Sequence, residues 1–200
     1  MPVPPRPIPP AAGAGPPDLE GKGVPEVHVR GIDLAYRAPD LRPEDRDALP
    51  QPVLDARKEW VDLYWRAWAV AFDKVRQPRP GSGFVSAYVD EGFSDNIFQW
   101  DTCFMICFAR YAAHRLPVGG SLDNFYAKQH ADGFICREID EASGADFWPV
   151  SHPSAINPPL FAWAEWEMFQ VTGDRARLRR VLPVLERYHA WLRVHRRHAD

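Results

Sequence analysis

The sequence predicts an all-α fold of antiparallel helical hairpins, and three observations carry that expectation. Apolar residues recur at helical spacing in five separate segments. Proline and glycine clusters punctuate the gaps between them. In the C-terminal half those gaps are short, and short links between helices make hairpins that stack side by side. Two hundred residues, 46% hydrophobic and 12% aromatic, suffice for one globular domain with a sizeable core.

Composition also excludes function classes. A net charge of -3 gives no basic footprint for nucleic acid. No apolar run is long enough for a membrane-spanning helix. The start, Met1-Pro2-Val3-Pro4-Pro5-Arg6-Pro7, does not read as a signal peptide, because proline interrupts any apolar stretch. Cys103, Cys107 and Cys136 are an odd count, and without histidines at ligand spacing they read as buried small hydrophobes. A reducing, cytoplasmic setting is the expectation, with no metal and no cofactor.

In chain order, residues 1–25 hold nine of the 21 prolines and are expected to be a disordered arm. Residues 26–50 read as an extended lead-in, with a possible strand at Val27-His28-Val29-Arg30-Gly31-Ile32. Residues 51–200 form the main domain. Its first helix is expected over 52–76, with Leu54, Trp60, Val61, Tyr64, Trp68 and Phe72 on its apolar side. Pro78, Pro80, Gly81 and Gly83 stop it, and 84–89 alternates loosely like a strand. A second helix follows Asp101 to about residue 115. Ser121 is expected to cap a third, running to Gln129. Asn157-Pro158-Pro159 opens a fourth, apolar nearly all round. Thr172-Gly173-Asp174 ends that helix and caps a fifth over 175–197.

The stretch that looks functional is Asn96-Ile97-Phe98-Gln99-Trp100-Asp101-Thr102-Cys103-Phe104-Met105. Gly92, Ser94, Asp95 and Asn96 before it are turn formers, so Asp101 falls at a helix start, where an anion is favoured. Capping alone would account for it. The neighbours suggest more: Phe98 and Trp100 are flat surfaces that stack on sugar rings, and Gln99 both donates and accepts. A carboxyl lodged among aromatics can keep its proton near neutrality and act as a general acid. Arg137 and Glu138, on opposite faces if the segment is a strand, meet either a sugar hydroxyl or each other as an exposed ion pair. Asn157, held extended by Pro158, either points into a cleft or caps a helix. Trp163 and Trp166 read as core. Glu165 on so apolar a helix needs a partner, substrate or arginine. His152, Asp123 and Asn124 read as solvated or capping residues.

Together, Trp100-Asp101-Thr102-x-Phe104, Gln129-x-x-x-Gly133-Phe134-Ile135 and Asn157-Pro158-Pro159 resemble the (α/α)6-barrel glycosidases. Among these, the trehalase-like and glycoside hydrolase family 63 group, which includes mannosylglycerate hydrolases and bacterial α-glucosidases, is most similar. The resemblance spans about residues 55–195. It implies that the hairpins form part of a toroid and that the substrate is a carbohydrate with an α-linked O-glycosidic bond. It further implies that Asp101 is the general acid of an inverting reaction, with Trp100, Gln129, Arg137 and Asn157 holding the sugar. Such enzymes activate water with a second carboxylate across roughly 6.5–9.5 Å. That carboxylate lies in a late hairpin of the family, and no residue here matches it. A six-hairpin barrel also needs more helices than five, so the resemblance implies the N-terminal part of a longer enzyme or a truncated reading frame. Unpaired apolar faces are then expected at Trp60, Tyr64 and Trp68 and at Tyr188, Trp191 and Leu192. The rival reading is a non-catalytic helical-repeat module that binds carbohydrate or protein.

Overall fold

A computed structural model describes residues 36–197. The proposed disordered arm, the possible strand at 27–32 and the last three residues lie outside them. Among the described residues there are six α-helices: α1 (Pro43–Asp47), α2 (Lys58–Asp73), α3 (Gln99–Ala109), α4 (Val118–Ala127), α5 (Phe161–Thr172) and α6 (Arg175–His195). Two short antiparallel ladders accompany them. β1 (Val75–Arg76) pairs with β2 (Tyr88–Val89), and β3 (Asn96–Phe98) with β4 (Glu138–Asp140). None of the described helices is long and apolar enough to cross a membrane.

α3 packs against α4 and α5, and α5 against α6. Gly173-Asp174 joins α5 to α6: Gly173 takes the left-handed conformation that ends a helix, and Asp174 accepts the Arg177 N–H as an N-cap. Two helices packed together across so short a link must reverse direction, so they form a hairpin. The core runs through Cys103, Ile106, Leu122, Phe125, Phe134, Ile135, Ile139, Phe161, Ala164, Tyr188 and Trp191.

Several elements depart from the sequence expectation. The first long helix begins at Lys58 rather than near 52, because Asp55 and Ala56 form a turn and Arg57 is non-helical (φ -143°, ψ 69°). Ser121 is no cap. α4 already starts at Val118, and the Ser121 hydroxyl accepts the Val89 N–H at 2.9 Å. Gly120 beside it lets α4 approach this strand, since a Cβ there would meet Ala87 O at 2.3 Å. Asn124 neither caps nor solvates: it is buried, and its Oδ1 accepts from the N–H groups of Val85 and Ser86. That interaction spends the backbone of 85–86 on a side chain, and only Tyr88–Val89 become strand.

The unpaired apolar faces are also partly relocated. Trp68, Tyr188 and Trp191 are buried, whereas Trp60 and Leu63 on α2 are exposed. So are Phe104, which meets Trp163 on α5, Trp166 farther along that helix, and Phe108 and Tyr111, of which Phe108 packs against Trp68 on α2. The fourth helix is therefore apolar all round but covered on one side only. Exposed patches of this kind drive association. The 200-residue chain is expected to elute from size exclusion as larger species, and a Phe104→Ser/Trp166→Gln variant to elute closer to monomer. A monodisperse wild-type monomer would contradict this.

Candidate active site

The β3–β4 ladder builds the site. It aligns Asn96 with Asp140, Ile97 with Ile139 and Phe98 with Glu138. β3 then turns straight into α3, and the Gln99 N–H extends the ladder by donating to Arg137 O at 2.8 Å. Phe98 is still extended, α3 begins one residue later, and Asp101 consequently stands in the first turn of the helix. The strand pairing thus sets Arg137 next to the start of α3. A second segment joins from 155–158: Arg137 donates its N–H to Ala155 O at 2.9 Å and its guanidinium to Asn157 Oδ1 at 3.4 Å. Gln99, fully buried, donates Nε2 to Pro158 O at 3.2 Å. Phe98, Gln99, Trp100, Asp101, Arg137 and Asn157 accordingly belong to one neighbourhood.

Within it, the surfaces differ in exposure. Trp100 is 43% exposed, open enough to receive a ring, and it leads by 5.9 Å to Phe104 and from there by 5.8 Å to Trp163. Phe98 instead stacks on Phe93 at 4.8 Å. Arg137 lies over the Trp148 indole at 5.1 Å, which orients its fork. Asp101 is half-buried. Desolvation lifts its carboxyl above the usual carboxylate range, against the opposing pull of its own backbone N–H and of Arg137.

Two of the candidate residues have structural duties. Gln129 ties the end of α4 to α6: Nε2 donates to Gly133 O at 3.1 Å and Val184 O at 2.9 Å, while Oε1 accepts from Arg187 Nε at 2.9 Å. Both amide ends are spent, and none of the partners is another candidate. Glu138 is buried, so its ion pair with Arg137, at 3.9 Å, is not an exposed one. Its oxygens accept Asn96 Nδ2 at 2.9 Å and Trp148 Nε1 at 2.8 Å, so it braces the ladder and the indole under Arg137. His152 is engaged too: Nδ1 accepts the Ser154 N–H and the ring stacks on Trp148. Glu165 meets an arginine, Arg177.

Sequence reasoning missed Glu91. Its Oε1 accepts the Thr102 hydroxyl at 2.8 Å and, more weakly, the Phe98 N–H at 3.4 Å. A carboxylate among turn formers carries no signal that it folds back under the following helix. No group of three or more His, Cys, Asp or Glu residues suited to a metal occurs among the described residues.

Residues 94–200 match the mannosylglycerate hydrolase MGH1-like glycoside hydrolase domain. The chain belongs to this family. The matched region opens just before β3 and contains Phe98, Gln99, Trp100, Asp101, Arg137 and Asn157. An uncharacterized protein of Borreliella burgdorferi is 26% identical over 144 residues, which are 68% of this chain and 28% of that protein. The chain therefore spans little more than a quarter of the length of that relative. No solved structure matches the chain.

Proposed function

We propose that this chain carries one side of the active site of a glycosidase that cleaves an α-linked O-glycosidic bond with inversion. Asp101 protonates the leaving oxygen, Trp100 stacks on a sugar ring, and Arg137 and Asn157 bind hydroxyls. The observation that carries this reading is the ladder-built meeting of Asp101, Arg137 and Asn157 at the start of α3, beside an exposed indole, in a glycoside hydrolase family domain. The water-activating base comes from outside residues 36–197. The exposed aromatic faces of α2, α3 and α5 fit a ring of hairpins only partly present here. The three cysteines are all free thiols, in keeping with a reducing compartment and a cytoplasmic location.

A second reading keeps the site and changes the role of Asp101. Its own backbone N–H and Arg137 both favour the ionised form, as suits a carboxylate that accepts hydrogen bonds from sugar hydroxyls. The pH dependence of kcat/KM on aryl α-glycosides separates the two, measured on the longest polypeptide that carries residues 1–200. A general acid must be protonated, so activity falls as pH rises through the Asp101 pKa. Arg137 lowers that pKa, so Arg137→Met moves this alkaline limb to higher pH. A binding carboxylate must be ionised. Its limb is acidic, and the same substitution then weakens activity at low pH. Absence of hydrolysis across a panel of α-glycosides would count against both.

A further inference from the structure

Glu91 stands outside every motif of the chain, yet its side chain reaches the start of α3. The loop turns at Gly92 (φ +82°), whose N–H donates to Asp90 Oδ1 at 2.8 Å. This reversal brings Glu91 back under the helix. Its two donors, the Phe98 N–H and the Thr102 hydroxyl, bracket Gln99, Trp100 and Asp101 in sequence. α3 has no side-chain cap at Phe98, and Glu91 takes from a distance the Phe98 N–H that the carboxylate of a capping box would accept locally.

We propose that Glu91 is a positioning residue for Trp100 and Asp101, clamping the first turn of α3 from beneath so that both keep their place in the site. What the pair does rests on the glycosidase reading, whereas the clamp does not. Burial pushes the Glu91 carboxyl up to about 8, with Asp90 on its own loop adding to the rise and the Thr102 and Phe98 donors opposing it. On the α3 side the Cys103 thiol, which lies within reach of the Glu91 charge, is itself held neutral by burial. Glu91 Oε2 is buried and has no hydrogen-bond partner among the described residues. The group is therefore neutral at pH 7. Because its folded pKa is raised, its contribution to stability is complete below about 4.5, falls as pH rises from there, and is gone once pH passes about 8.

Backbone amide exchange at residues 99–103 tests the clamp in the 200-residue chain without requiring glycosidase activity. Glu91→Leu is expected to speed exchange there by about fivefold or more, the equivalent of one lost hydrogen bond. Glu91→Gln keeps an acceptor oxygen and is expected to stay near wild type. Corrected for intrinsic rates, wild-type protection is expected to fall as pH rises from about 5 to about 8 and to level off above that, between the free and the folded Glu91 pKa, while that of Glu91→Gln stays flat. Should Glu91→Leu fail to fold, Thr102→Val removes the other half of the main contact and is expected to raise exchange at the same amides. Wild-type protection that is flat with pH, or a glutamine variant that exchanges like the leucine one, would overturn the clamp. If the clamp holds while hydrolysis is absent, the glycosidase reading alone fails.

Discussion

Asp101→Asn is expected to lower turnover of an unactivated α-glycoside by about 10²–10⁴-fold, the usual contribution of general acid help. The amide is nearly isosteric and keeps its place in the first turn of α3, but it has no acidic proton to give. Substrate binding, which the proposal assigns to Trp100, Arg137 and Asn157, should persist. Aryl glycosides whose leaving group needs little protonation should be partly spared. That pattern identifies the acid role. Equal losses on both substrates together with weakened binding would assign Asp101 to holding the sugar, and unchanged turnover would remove it from the site.

Arg177→Met is expected to produce the largest loss of stability. Arg177 leaves α6 and donates to both oxygens of Glu165 on α5 at 2.8 Å, to Asp123 on α4 at 3.1 Å and to Gly119 O at 3.0 Å. Glu165 also accepts the Tyr126 hydroxyl. Burial works against the Arg177 charge, yet Glu165 and Asp123 outweigh it and raise its pKa. Removing one partner of a buried pair strands the other charge, which costs about 3–5 kcal/mol. For a chain of this size that corresponds to a fall of about 10 °C in Tm. Glu165→Leu added to Arg177→Met should recover much of the loss, since an apolar replacement of a whole buried pair is often neutral. A thermal midpoint unchanged in Arg177→Met would mean that the network does not hold α4, α5 and α6 together.

The parts of this fold that were legible in the sequence are those set by local pattern. Asp101 at a helix start followed from the turn formers before it and the apolar period after it. Asp174 as a cap followed from the glycine that precedes it. Glu165 as a buried carboxylate in need of a partner followed from the apolar helix around it. What stayed hidden depends on contacts between distant segments. Ser121 looks like a cap, but it lies inside α4 and serves the Val89 N–H. Gln129 carries a motif glutamine, but α6 claims both ends of its amide. Trp163 and Trp166 look like core, and the chain leaves their side of α5 exposed. Arg137 and Asn157 could be named as candidates, whereas their meeting depends on the β3–β4 pairing, two strands of three residues each. Strands so short give little periodicity to read.

The claim at the centre is that Asp101 and Arg137 share one sugar-binding site. Carboxyl carbon NMR of aspartate-labelled protein measures it most directly, by following the Asp101 titration in the wild type and in Arg137→Met, with and without a methyl α-glycoside. The expected result is a pKa above the ordinary carboxylate range, raised further when the Arg137 charge is removed, and displaced when the glycoside binds. An Asp101 that titrates as an ordinary carboxylate, indifferent to both Arg137 and the sugar, would contradict it.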